Sequence, residues 1–284
     1  MKKITNLLLI FLFVFISSSF SIAASEAEIR NSLSKNIASS MKIRNGVDVI
    51  VKVDILKKID KPQGYYFIKL SFYDKKNPRE LAGEQFIFSD GSYIIPDIMN
   101  VKDMGSLSKE LSFEFSKRDV NVNGLTPILG KAGAKNVIIE VSDFQCPYCI
   151  KANEYLHNKL KNRNDVVVYL MHFPLRNMHP KAEILAKIFE AGMALGKNFG
   201  NELYNVANHG KSDVVLINEF ATKSGNPKKF KELVASEQIK NKVLNAEKQA
   251  KELGISSTPT LFVNGKMISG FDTVLIDKAI SEFK

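Results

Sequence analysis

Cys146 and Cys149 are the only cysteines in this chain of 284 residues. They stand in "DFQCPYCIK" (143–151), separated by Pro147 and Tyr148. Two cysteines at this spacing can form a structural disulfide, supply half of a metal site, or pass electrons by thiol–disulfide exchange. A structural zinc site usually needs four ligands. The histidines, His157, His172, His179 and His209, supply no second closely spaced pair. A disulfide closing so small a loop constrains the unfolded chain little. Exchange gives each residue a physical reason. The pair follows an apolar stretch, "NVIIEV" (136–141), and is placed to open a helix. Unpaired N–H groups and the macrodipole at a helix start favour an anion. The Cys146 thiolate is thereby stabilised as an attacking and leaving group. Pro147 suits the first turn, where its missing N–H loses no bond. The i, i+3 spacing puts Cys149 on the same side of the helix, placed to resolve a mixed disulfide formed on Cys146.

Glu140 lies six residues before Cys146, inside the apolar stretch. A carboxylate buried there has its pKa raised by desolvation. The competing reading is an outward-facing strand residue. Asp143 and Gln145 read as members of an exposed strand-to-helix turn. His172 ends a strand before Phe173–Pro174 and reads as a packed residue rather than a catalytic base, since exchange needs no histidine.

The elements that must position these groups follow from periodicity. "NVIIEV" and "DVVVYLM" (165–171) read as strands, with a helix from the cysteines to about Leu160 between them. Helical stretches follow over 179–197, 213–225 and 227–254, the last ended by Gly254. "TPTLFVNGKMIS" (258–269) reads as a hairpin turned at Asn264–Gly265, and 273–283 as a closing helix. Upstream the grammar differs. Ser25 and Glu28 have capping-box spacing ahead of a stripe of Ile29, Leu33, Ile37 and Met41. The period then becomes two over 47–55 and 65–73, and Asp90–Gly91 reads as a two-residue hairpin turn. One helix and about four antiparallel strands imply a small α+β domain over 25–104, with 105–125 as a linker, partly helical at its start. This domain has neither cysteine nor histidine, and surplus aromatic surface would suit a subunit interface.

Residues 1–24 carry Lys2 and Lys3, the apolar run "LLLIFLFVFI" and small residues at "SIAAS", the pattern of a secretory signal peptide cleaved near 23–25. The run is short for a membrane anchor, which needs about 20 residues. Export implies an oxidising compartment, periplasmic or otherwise outside the cytoplasm. The formal charge is +10; taking Lys2 and Lys3 from 40 basic residues leaves 38 against 30 acids, or +8. The basic residues are interspersed with acids, so nucleic acid is not an expected partner.

"SDFQCPYC" after a strand, followed later by "TPTLFVNG", resembles the thioredoxin superfamily, and most of all its DsbA-like exported branch. "HFPLRNMHPKA" (172–182) is also typical of that branch. The resemblance spans 126–284. It implies an α/β, thioredoxin-like catalytic domain with a helical insertion. It further implies a cis Thr258–Pro259 peptide beside the cysteines, with Thr258 and Pro259 binding the client chain. Glu140 would move the proton of Cys149, and Pro147 and Tyr148 would tune redox poise. No cofactor and no metal are implied. The first half is similar to the N-terminal domain of DsbC and DsbG isomerases (a cystatin-like α+β fold), which implies a homodimer. Together these point to a protein-disulfide oxidoreductase acting on exported clients and served by a membrane redox partner. The alternative is a dimeric isomerase or reductase with chaperone-like binding. A binding module with incidental cysteines and a metal-binding protein are the rivals from other classes.

Overall fold

The computed structural model describes residues 25–102 and 104–283. The segment read as a signal peptide, 1–24, lies outside the described residues. Two compact units divide between Phe115 and Ser116.

The first unit opens with helix α1 (Glu26–Asn45). Ser25 and Glu28 form a reciprocal capping box, which satisfies two otherwise orphaned donors. Gly46 ends the helix in the left-handed region. Strands β1 (Val49–Lys58), β2 (Tyr66–Asp74), β3 (Asn77–Ser89) and β4 (Ile94–Ile95) form an antiparallel sheet in that order. Ile29 and Leu33 of α1 pack on Val49, Val51, Val53, Ile68, Leu70 and Phe72, as alternation requires. The opposite face is covered as well: Phe67 and Phe88 pack with Leu111 of α2 (Leu107–Phe115). β5 (Met99–Asn100) and β6 (Gly105–Ser106) form a short ribbon ahead of α2. The stretch read as a linker, 105–125, therefore contributes a helix to this unit. The turn at Asp90–Gly91 also differs from expectation. Ser89 pairs with Ile94, so the loop has four residues rather than two. Asp90 Oδ1 accepts from the N–H groups of Ser92 and Tyr93 and shapes it.

The second unit contains β7 (Thr126–Gly130), β8 (Asn136–Ser142), α3 (Pro147–Leu160) and β9 (Val166–His172). Then come α4 (Ala182–Ala194), α5 (Gly200–Leu203), a 3-10 turn at Val206–Asn208, and α6 (Asp213–Lys223). α7 (Pro227–Ala235) and α8 (Glu237–Glu252) precede β10 (Thr260–Val263), β11 (Lys266–Ser269) and α9 (Thr273–Ser281). The sheet order is β11-β10-β8-β9-β7, with only β8 and β9 parallel. β8 and β9 are central and almost wholly buried, which explains their unbroken apolar runs. Ile139, Val141, Val167, Tyr169, Met171 and Phe262 share one cluster with Ala246 and Ala250 of α8. The β10–β11 turn is the two-residue Asn264–Gly265, both at positive φ.

In the second unit, one strand and one helical stretch depart from the sequence reading. β7 was not anticipated; its five residues include Pro127 and Gly130, which suit an edge strand but blur a strand pattern. A side chain at Gly130, at φ +74, would strike Val166 O at 2.2 Å. The stretch 227–254 is two helices. Ser236 is extended (φ −75, ψ 145) and caps α8 through Ile239 N–H.

Candidate active site

β8 runs into the loop 143–146 and then into α3, which begins at Pro147. Cys146 is the N-cap residue; its side chain makes no capping hydrogen bond of full geometry, and the first-turn N–H groups of Tyr148 and Cys149 act on its sulfur. The Cys149 thiol donates to it, Thr258 contributes, and the N–H groups of Cys149 and Tyr148 add to these; together they outweigh burial and hold the Cys146 pKa down to about 5. Cys146 Sγ lies 3.6 Å from Thr258 O, whereas Thr258 Oγ1, buried, makes no hydrogen bond of full geometry. The Thr258–Pro259 peptide is cis. Pro147 and Tyr148 are exposed.

Cys149 is fully buried, one helical turn further on. Burial pushes its thiol pKa far up; its donation to Cys146 and the negative charges of Cys146 and Glu140 push the same way. The two thiols are therefore set apart: one a thiolate at neutral pH, the other held protonated.

Glu140 is 0 % exposed, which removes the outward-facing alternative. In register it lies opposite Leu170 of β9 and Leu261 of β10, both buried apolar residues. Burial raises its pKa to about 7 against the opposing pull of Ser142 and Tyr204. Ser142 Oγ donates to Glu140 Oε1 at 3.0 Å, and Tyr204 Oη donates to the same oxygen at 3.3 Å. The Asn153 amide pulls the same way but makes no full hydrogen bond; its Nδ2 and Glu140 Oε2 are both buried without a partner.

Asp143 is not an exposed turn residue, contrary to expectation. Its side chain is enclosed, and Oδ1 accepts from Gln145 N–H. Oδ2 accepts from Leu175 N–H and meets His179 Nδ1, both at 2.8 Å. The carboxylate ties the loop before Cys146 to the segment before α4, and Gln145, half-buried, accepts from Lys181 N–H. His172 is a packed residue in a second buried group. Its Nε2 lies 2.9 Å from Glu190 Oε1, and Glu190 also takes Thr126 Oγ1 and Lys242 Nζ.

Sequence reasoning missed Ser142, Asn153 and Tyr204. Ser142 sits two residues from Glu140, on the same face of a strand, and Asn153 is four residues from Cys149, on the same helix face. Those spacings carried a usable signal. Tyr204 comes from the helical insertion after α5, and nothing local in the sequence ties it to the cysteines. Among the described residues no group of three or more His, Cys, Asp or Glu could hold a metal ion. No described helix is long and apolar enough to cross a membrane.

A strand–loop–helix unit with a split-pKa cysteine pair at the helix start, facing a cis-proline loop, defines a thioredoxin-like fold with a two-cysteine site. Residues 122–280 match the family model described as Thioredoxin, and the chain belongs to that family. Solved structures similar to it include oxidised BdbD from Bacillus subtilis: 19% identity, 58% of this chain and 96% of that one covered, TM-score 0.47. α-DsbA1 from Wolbachia pipientis is similar at 20% identity, over 61% of this chain and all of that one, with TM-score 0.47. Na(+)/H(+) antiporter NhaA 1 of Mycobacterium sp. (strain KMS) is 30% identical over 149 residues, half of this chain. The chain spans only 24% of that relative's length.

Proposed function

We propose that this chain is an exported, periplasmic-type thiol–disulfide oxidoreductase that exchanges disulfides with protein clients through Cys146 and Cys149. The observation that carries this is the split between the two sulfurs: Cys146 as a stabilised thiolate at the start of α3, Cys149 protonated and enclosed near Glu140. When the pair is oxidised, a client thiolate attacks Cys146 Sγ. The Cys146–Cys149 bond breaks, and Cys149 leaves with the electron pair and takes the proton of Glu140. A second client thiolate then attacks the client sulfur of the mixed disulfide. A client disulfide forms, and Cys146 leaves as its stabilised thiolate. The client loses two electrons and the cysteine pair gains them. In reverse, Cys146 attacks a client disulfide, Glu140 takes the Cys149 proton, and Cys149 displaces the client thiolate from Cys146.

Stabilising the Cys146 thiolate stabilises the reduced pair, which favours donating the disulfide. Thr258, half-buried and with its carbonyl 3.6 Å from Cys146 Sγ, would pair with an extended client chain, held there by the buried Pro259 that follows it. Exposed Pro147 and Tyr148 would adjust the redox poise. A membrane redox partner would re-oxidise the pair. A second reading, a homodimeric isomerase or reductase, draws support from the first unit (25–104 in the domain reading), where Tyr93, Met99, Val101 and Met104 are exposed apolar residues suited to a subunit interface. The test of the primary reading is capture of a client on Cys146 when Cys149→Ala removes the resolving sulfur.

A further inference from the structure

We propose that Tyr204, together with Ser142, is a positioning residue for Glu140: the two hydroxyls pin carboxyl oxygen Oε1, leave Oε2 to exchange the Cys149 proton, and so set the pH at which Cys149 is activated. This rests on the role given to Glu140 above and extends it to the helical insertion.

The geometry is a closed triangle. Ser142 Oγ and Tyr204 Oη are 2.7 Å apart, and both reach Glu140 Oε1. All three residues are buried. The two hydroxyls share two protons among these three contacts, so one donates to Oε1 while the other donates either to Oε1 or to its neighbouring hydroxyl; that donation favours the charged carboxylate and opposes desolvation. The other oxygen, Oε2, is enclosed and has no hydrogen-bond partner. It is thus the oxygen with free acceptor capacity, on a carboxyl whose charge acts on the Cys149 thiol. Charge on Glu140 bears on Cys149, and Cys149 bears on Tyr204, so the groups form one electrostatic cluster.

Tyr204 is fixed from outside the strand–helix unit. It follows α5, and its ring packs at 4.6 Å on Phe144, in the loop before Cys146. The ionisable groups facing Glu140 are Cys146 and Cys149 from α3 and Tyr204 from the insertion. β9 and β10 oppose it with Leu170 and Leu261. A second buried pair, His172 and Glu190, packs on Phe144 through the His172 ring, with centroids 6.1 Å apart.

The proton step balances as Cys149–SH plus Glu140–COO⁻ giving Cys149–S⁻ plus Glu140–COOH. The thiolate then forms the Cys146–Cys149 bond as the Cys146–client bond breaks, and the client sulfur leaves with the electron pair. Without the Tyr204 hydroxyl, the carboxylate loses a donor and takes its proton at higher pH.

The experiment mixes the reduced, full mature chain with excess oxidised glutathione, quenches with acid, and follows the Cys146–glutathione adduct by mass spectrometry from pH 5 to 9. Wild type, Tyr204→Phe, Glu140→Gln and the double variant are compared. Phenylalanine keeps the ring contact with Phe144 and removes only the oxygen. In wild type, adduct decay should rise along an acidic limb that levels off near pH 7; Glu140→Gln should remove that break and leave a slower decay that rises throughout, since Cys149 then loses its proton to solvent. Tyr204→Phe should move that limb upward by about half to one pH unit, slowing decay near pH 6.5 by roughly 2.5- to 8-fold. In the Glu140→Gln background the same change should shift nothing. An unmoved limb, or uniform slowing at every pH, overturns the role of Tyr204 while leaving Glu140 in place. A break near pH 7 that survives Glu140→Gln overturns the Glu140 role and this inference with it.

Discussion

Replacing Glu140 by glutamine removes a carboxyl that the fold holds wholly out of water, and its effect on stability must depend on pH in one direction. The folded-state pKa of Glu140 is raised from 4.5 to about 7. Below pH 4.5 the group is protonated in both folded and unfolded chains and contributes no pH-dependent difference. Between 4.5 and about 7 the folded chain keeps the proton and the unfolded chain releases it, so stability falls as pH rises. That window spans two and a half pH units, which at about 1.36 kcal/mol per unit amounts to about 3 kcal/mol. Glutamine is neutral throughout and is spared this loss. The amide itself adds a pH-independent offset, since its extra donor must be buried. The diagnostic quantity is therefore the slope of the difference between the two chains. Pulse proteolysis in urea, under reductant from pH 5 to 8.5, reads the unfolding of residues 116–284 by fragment mass. Glu140→Gln should gain about 2.5 kcal/mol on wild type between the ends of that range, the part of the window below pH 5 lying outside it. A difference that stays flat with pH would show that the fold does not raise the Glu140 pKa, and would refute its place as a proton carrier poised near neutral pH.

Two further outcomes follow from the cysteines. Thiolate absorbance near 240 nm in the reduced protein should rise with a midpoint near pH 5 and be lost in Cys146→Ser; a midpoint above 8 would contradict the stabilised anion. That stabilisation is complete above the ordinary thiol pKa of 9 and is lost as pH falls through about 5, so at pH 7 about two pH units of it favour the reduced pair. Equilibration with glutathione at pH 7 should then give a potential roughly 30 to 60 mV more oxidising than that of a pair with unshifted thiols, the lower figure allowing for solvent screening at the helix start. A potential at or below the unshifted value would argue for a reductant.

How much of this was legible in the sequence depended on how local the signal was. Alternation along 47–55 and 65–73 placed the α1-facing residues, because each residue's face is set by its own strand. The Asn264–Gly265 hairpin was legible because its turn chemistry is contained in two residues. The Asp90 loop was misjudged because two backbone N–H groups capped by one side chain extend the turn without altering its dipeptide. The cysteine pair announced itself by spacing. The burial of Asp143 did not, since its partners at Leu175 and His179 lie more than thirty residues away. Tyr204 was invisible for the same reason: a buried hydroxyl reaching a strand 64 residues earlier leaves no periodic trace. The ionisation of the site is thus a tertiary property, while the sulfur chemistry is a local one.

The central claim is that Cys146 takes the client sulfur and Cys149 releases it. The most direct measurement is mass spectrometry of the Cys149→Ala chain, residues 25–284, mixed with a disulfide-bonded client under native conditions. A covalent adduct should accumulate, with its disulfide mapped to Cys146, reversible by reductant and absent from the Cys146→Ala/Cys149→Ala chain. A folded Cys149→Ala protein that forms no adduct, at a pH where Cys146 is ionised, would contradict the account.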